Sequence, residues 1–233
     1  MANKISELSV FLPTFNEGGN IEKVVENTKK VLEKVAGNWE IVIVNDGSTD
    51  RTKEISEDLS RGDSRIKVIS HDPNRGYGGA LKTGFSEAKY EWVAFMDSDA
   101  QFDFAEIIKF IEKKDEADLI LGYRKNRADS FARKIFTFGW SSLARVLLGL
   151  TVRDYSCGFK MIKKEVYKKV QPLVGEEKVT QIEMLVKAKR MGFKFAEVGV
   201  SHYPRTSGTQ TGAKLKVVAK SVFDLFKLWR KLS

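Results

Sequence analysis

Five short runs of almost unbroken hydrophobicity constrain this chain more than any other feature: Ser9–Phe15, Glu40–Asp46, Ile66–Asp72, Trp92–Asp97 and Ala117–Arg124. Each is rich in β-branched or aromatic residues and lacks the polar alternation of a strand with one wet face, so each predicts a strand buried on both sides. Between them, Asn20–Val35, Arg51–Arg61, Gly79–Lys89 and Glu106–Lys114 carry apolar residues at helical spacing. Repeated βα units of this kind build a parallel sheet covered on both faces. Beyond residue 124 the pattern changes: a long apolar helix is expected over Ser130–Leu150, a strand over Cys157–Ile162, a helix over Thr180–Met191 and a strand over Lys194–Tyr203. A basic amphipathic helix is expected over Ala213–Leu232. The fold class is therefore α/β with a mainly parallel central sheet. No linker rich in Pro, Gly or Ser and no internal repeat divides it.

Open sheets of this class bind ligands beyond the carboxyl ends of their strands. Asn16, Glu17, Asn45, Asp46, Asp97, Asp99, Tyr123 and Arg124 all stand at such ends. The net charge of +9 is distributed unevenly. Residues 1–120 hold 16 Lys and Arg against 23 Asp and Glu, whereas residues 121–233 hold 24 against 8. A basic surface favours nucleic acid, anionic lipid or a phosphorylated substrate. Because the acidic half supplies the candidate site, no nucleic-acid partner is expected. The single cysteine, Cys157, excludes a disulfide framework and a thiolate zinc site, and reads as a small packing residue. The longest stretch free of Asp, Glu, Lys and Arg is Ile135–Ala144, ten residues, about half of what a spanning helix needs. The opening MANKISELSV runs directly into a strand pattern without the apolar core of a secretory signal. A cytoplasmic location is expected.

The segment MDSDAQFD, Met96–Asp103, ends a buried strand with two carboxylates one residue apart. Such acids repel each other unless a cation sits between or beside them, and hard oxygen ligands with open positions suit Mg²⁺ or Mn²⁺ shared with substrate phosphates. The alternative is a solvated turn in which Asp103 caps the next helix. Upstream, VNDGSTD places Asp46 at the tip of a turn, where a carboxylate can accept hydrogen bonds from a base or ribose, and FLPTFNEGGNI places Glu17 beyond the first strand. Gly76, Gly78 and Gly79 in NRGYGGAL do not form G-x-G-x-x-G, and no Walker A sequence exists. A diphosphate here must be neutralised by metal and Arg rather than by a backbone nest.

Taken in order, LPTFNE, VNDGSTD, NRGYGGALKTGF, MDSDAQ, GYR, DYSCGF, QIEML and the RTSG of HYPRTSGTQTG resemble the family 2 glycosyltransferases of the GT-A fold. Among these they are most similar to the dolichyl- and polyprenyl-phosphate sugar synthases, over about residues 8–212. The resemblance implies a GT-A nucleotide-diphospho-sugar transferase domain over residues 1–212, followed by the basic amphipathic helix at 213–233. It implies inverting transfer of a hexose from a nucleotide sugar, GDP-mannose or UDP-glucose, to a lipid phosphate or another acceptor. Residue by residue, it puts Pro13, Phe15, Glu17, Asp46, Asp97 and Ser98 around the nucleotide. Asp97, Asp99 and Gln101 match the family's metal-binding pattern. Arg124 matches a basic residue facing the donor diphosphate, and Arg205 a mobile-loop Arg that closes over it. Arg133 and Thr137 fall where an Arg and a Ser hold the acceptor phosphate. Departures are Asn45 in place of an acidic residue, Thr137 in place of Ser, and Gln210–Thr211 in place of Ser-Lys, with Lys214 and Lys216 nearby.

A monophosphate acceptor with a second pKa near about 6 is mostly dianionic at neutral pH and needs no strong general base. A protein or glycan hydroxyl acceptor would need one. Asp154 in DYSCGF is the candidate carboxylate; its alternative role is to fix the loop by hydrogen bonds. His71 and His202 read as loop or core hydrogen-bonders, and Glu183 either orients a nearby cation or is solvated. Leu215, Val218, Val222, Phe226, Trp229 and Leu232 form an apolar stripe set against six basic residues. That composition suits peripheral contact with an anionic membrane surface or packing onto a membrane-protein partner.

Overall fold

The computed structural model describes residues 4–125, 149, 151–177, 179–205 and 230. Apart from Gly149 and Arg230, the predicted helices at 130–150 and 213–232, with Arg133 and Thr137, lie outside the described residues. β1 (Ile5–Thr14) shows why the apolar runs are continuous. Val10 and Leu12 point into one core with Ile41 and Ile43 of β2 (Ala36–Asn45), while Phe11 points into a second core with Val42 and Val44. Side chains alternate between faces along a strand. With both faces covered, neither set can be polar.

The first core is closed by α1 (Ile21–Val35), whose Ile21, Val24, Val25, Thr28, Leu32 and Val35 form one buried stripe, and by Ile55 and Leu59 of α2 (Thr52–Gly62). The second is closed by α3 (Gly76–Glu87) and α6 (Val179–Arg190). The remaining elements are β3 (Ile66–Ser70), β4 (Trp92–Met96), α4 (Ile107–Ile111), β5 (Leu119–Arg124), β6 (Phe159–Lys163), α5 (Lys164–Lys169) and β7 (Phe195–Val200). Seven strands form one sheet in the order β3-β2-β1-β4-β6-β5-β7. β6 runs antiparallel to both of its neighbours, β4 and β5, so the sheet is mixed rather than wholly parallel. Its reversal brings residues 157–159 to the edge where β4 ends, with Met96 opposite Phe159.

Helix α3 begins at Gly76, three residues before the apolar spacing predicts, because its first turn is glycine-rich. A side chain at Gly78 would collide with Thr180 and the backbone at residue 177, so the glycine lets α6 and its preceding loop approach closely. Gly84 faces Phe11, whose ring stacks on Phe95 at 5.2 Å and meets Phe85 edge-on at 4.9 Å. A methyl group there would overlap the Phe11 ring, which is fully buried and has no void to retreat into. Gly84→Ala gains up to about 1 kcal/mol of helix propensity, but overpacking costs about 1–3 kcal/mol. The melting temperature is therefore expected to fall by a few degrees. Gly62→Ala, where an added methyl meets nothing within 4 Å, is the control and should not fall.

Candidate active site

The loops after β1 and β2 are locked to each other. Asn16, held in a left-handed conformation at φ 54°, accepts the Thr49 amide at 2.8 Å, and its own amide donates to Ser48 Oγ at 3.0 Å. The Glu17 amide donates to Thr52 Oγ1 at 2.8 Å, and the Gly18 amide to Asp50 Oδ2 at 3.0 Å. These contacts give the FNEG and DGSTD segments one rigid shape. Asp46 is buried at their base. Its Oδ1 lies 2.6 Å from His71 Nδ1 and accepts the Arg75 amide at 2.8 Å, while His71 Nε2 lies 2.9 Å from Thr83 Oγ1. His71 is thus a core hydrogen-bonder, tied to a predicted nucleotide-site carboxylate.

The DSD turn follows β4 and is built just as tightly. Ala100 adopts φ 59°, a left-handed conformation that non-glycine residues rarely take and that concentrates at functional sites. Ser98 is buried and donates to the Pro13 carbonyl at 2.9 Å, which anchors the turn to β1. The Asp97 amide donates to the Gly158 carbonyl at 2.9 Å, and Tyr77 Oη donates to Asp97 Oδ1 at 2.8 Å. The Gln101 amide donates to Asp99 Oδ1 at 3.2 Å. The Gln101 side chain turns to the Tyr203 carbonyl, 2.9 Å away, and so fastens the turn to the segment carrying Arg205. Asp103 accepts the Ala105 amide at 2.9 Å as a helix cap, beside the acidic turn rather than in it.

Arg205 reaches back across the site, donating to Glu17 Oε1 and lying 3.6 Å from Asp99 Oδ2. Burial raises the Glu17 carboxyl above its ordinary value, with the hydrogen bond from Asn20 and the charge of Arg205 pulling the other way. Arg124, at the end of β5, forms a two-pronged pair with Asp154: Nε to Oδ2 at 2.7 Å and a terminal nitrogen to Oδ1 at 3.0 Å. The same guanidinium donates to Ser156 Oγ at 2.9 Å. Two residues assigned separate tasks from sequence therefore form one unit. Phe15 is exposed at the rim.

Among the described residues, no three His, Cys, Asp or Glu side chains cluster to hold a metal. Asp97 and Asp99 offer a hard, two-carboxylate donor set at the end of one strand. This set fits Mg²⁺ or Mn²⁺, which retains coordination positions for phosphate oxygens and water. The family model for Glycosyl transferase family 2 matches residues 9–171 of the chain.

The chain belongs to glycosyltransferase family 2.

This family 2 transferase is 32% identical to Glycosyltransferase AglD of Haloferax volcanii over 208 residues, covering 85% of the chain but 33% of that protein. It is 30% identical to the Dodecaprenyl-phosphate galacturonate synthase of Rhizobium johnstonii, covering 87% of the chain and 60% of that protein. It is 28% identical to the Dolichyl-phosphate beta-glucosyltransferase of Saccharomyces cerevisiae, covering 83% and 66%. The chain thus spans from a third to two thirds of the length of these relatives. Its fold is shared with glucosyl-3-phosphoglycerate synthase from Mycobacterium tuberculosis, solved with Mn²⁺, uridine diphosphate and glucosyl-3-phosphoglycerate. That match has a TM-score of 0.74 at 19% identity and covers 96% of this chain and 80% of that one.

Several residues of the transferase were not legible as site residues from sequence. Lys160 is fully buried near the start of β6, and burial pulls its ammonium down to about 8. A lysine inside an otherwise apolar strand was the available signal. Tyr77 carried no signal of its own; burial, then the adjacent Asp97 charge, raises its hydroxyl well above the usual value, so it remains a donor. Glu183 is fully buried rather than solvated, accepts the amides of Val174 and Gly175 at 2.8 and 2.6 Å, and pairs with Lys187 at 2.7 Å. It braces the loop before α6. Cys157 is buried and its thiol is pushed up to about 11 by desolvation, in keeping with a packing role.

Proposed function

We propose that this chain is an inverting, metal-dependent transferase that moves a hexose from a nucleotide sugar to a polyprenyl or dolichyl phosphate at a membrane surface. One observation carries the reading. Glu17, Asp97, Asp99 and Arg205, from three separate segments, converge beyond the carboxyl ends of β1 and β4, with Asp46 beyond β2 beside them. That is where an open α/β sheet holds a nucleotide. Relatives whose names specify dolichyl- or dodecaprenyl-phosphate products support the acceptor class.

On this reading Pro13, Phe15, Glu17, Asp46 and Ser98 form the nucleoside wall. Asp97 and Asp99, with Gln101 beside them, would hold Mg²⁺ or Mn²⁺, which when bound supplies charge stabilisation at the diphosphate. Arg205 withdraws from Glu17 and Asp99 toward the diphosphate, and Arg124, oriented by Asp154, faces the leaving group from the other side. Preorganised cations act before water can reorganise around the developing charge. Because Arg124 occupies Asp154 through both oxygens, the chemistry suits an acceptor that arrives already ionised. A lipid phosphate meets that requirement, with Arg133 and Thr137 as its proposed contacts and the basic amphipathic helix expected from the sequence of 213–233 as the surface anchor. Among the described residues, no helix is long and apolar enough to cross a membrane.

The test is a panel of GDP-mannose, UDP-glucose and other nucleotide sugars, each with a short polyprenyl phosphate and Mn²⁺. The expected result is a glycosylated polyprenyl phosphate together with free nucleoside diphosphate. Transfer confined to hydroxyl acceptors, or unaffected by removal of the metal with chelator, overturns the reading.

A further inference from the structure

Three sequence motifs touch the site only from behind: NRGYGGAL, the GFK that follows DYSC, and QIEML. In the structure they meet behind the DSD turn. Tyr77 comes from α3, Lys160 from β6 and Gln181 from α6. Lys160 Nζ donates to the Cys157 carbonyl and, at 2.6 Å, to Gln181 Oε1. Gln181 Nε2 donates to Tyr77 Oη at 3.0 Å, and Tyr77 Oη donates to Asp97 Oδ1 at 2.8 Å.

The direction of this chain follows from its first member. An ammonium has donors and no acceptor, so the Gln181 oxygen must face Lys160 and its amide nitrogen must face Tyr77. The phenol oxygen then receives a hydrogen bond, and its single proton is committed to Asp97. Gln181 and Lys160 are almost wholly excluded from water, so neither can exchange its partner for solvent. An apolar residue at position 160 would fill the strand without desolvating a charge. What the lysine adds is the polarity of the relay.

We propose that Lys160, Gln181 and Tyr77 are positioning residues for Asp97, a polarised relay that presents its carboxylate to the divalent cation in one orientation. The inference rests on the metal-dependent reading above. Groups behind a ligating carboxylate fix its orientation, and their loss typically costs about 10–100-fold in metal affinity.

Two variants test it in the full chain. Gln181→Glu keeps the side chain's shape but accepts from both Lys160 and Tyr77, drawing the phenolic proton away from Asp97. Tyr77→Phe deletes that proton and keeps the ring. Free Mn²⁺ is measured by electron paramagnetic resonance during titration with UDP and, separately, with GDP, alongside thermal melts. Both variants are expected to weaken nucleotide-dependent Mn²⁺ binding about tenfold or more. The Mn²⁺ concentration giving half-maximal transfer should rise in parallel, with the acceptor KM unchanged. If Gln181→Glu does not fold, Tyr77→Phe decides alone. Mn²⁺ affinity equal to wild type in the folded variants overturns the relay and leaves the metal reading standing. A wild-type chain that binds no Mn²⁺ with either nucleotide overturns both.

Discussion

Asp99→Asn is expected to lower sugar transfer about 10²-fold or more, comparable to deleting a transition-state stabiliser, with almost no change in melting temperature. The two effects separate because the carboxylate has separable jobs. Its Oδ1 accepts the Gln101 amide at 3.2 Å, and an asparagine oxygen can do the same, so the turn keeps its shape. Its Oδ2 lies 3.6 Å from Arg205, a long contact within a partly covered pair, whose loss is expected to cost about 1 kcal/mol. What asparagine cannot replace is a formal charge facing a guanidinium and, on the proposed function, a divalent cation. Initial rates at saturating Mn²⁺, run beside thermal melts, check this. A near-wild-type rate would mean that the pair of acids merely shapes the turn.

Gly158→Ala is expected to have an effect of similar size for a steric reason. A methyl group there would overlap the Asp97 carboxylate. The Gly158 carbonyl is held by the Asp97 amide at 2.9 Å, so the backbone cannot simply draw back. The carboxylate must rotate, which breaks its 2.8 Å bond from Tyr77. Misplacing a reacting group by about 1 Å costs on the order of 10²-fold in rate. Stability should fall by about 1–3 kcal/mol, the range for overpacking. Steady-state kinetics and denaturant melts of the purified variant give both numbers. A rate within a factor of about three of wild type would show that Asp97 tolerates a second orientation, contrary to the catalytic role assigned to it here.

Most of the sheet was legible because burial on both faces leaves a direct trace: runs such as EIVIVND can be little else. The direction of β6 was not legible. Hydrophobic spacing records which faces are covered and carries no sign for the strand's sense. Helix α5 escaped because its six residues, KEVYKK, contain too few turns to show a period. In the site, Asp97, Asp99, Glu17 and Asp46 announced themselves as acids at strand ends. Their supports did not. Tyr77 and Asp97 are separated by 20 residues, Gln181 and Tyr77 by 104, and nothing local marks such pairs. Arg124 and Asp154 were each visible, but their mutual bond depends on β6 turning back toward β5. Ser98 and Gln101 were legible as members of the MDSDAQ motif, but not that their side chains reach the backbone carbonyls of Pro13 and Tyr203.

The Arg124–Asp154 pair closes the neck of a 30-residue excursion that leaves β5 and returns toward β6 at the same rim. Both ends of that excursion are pinned by one guanidinium, so a change in the number of residues between them costs little in closure entropy, about 0.6 kcal/mol per doubling. Nothing in the sheet order depends on what lies between the two ends. The architecture is therefore modular at this point. If, as proposed, Arg133 and Thr137 within that stretch meet the acceptor, a change in its length would alter acceptor recognition and leave the donor-side loops as they are.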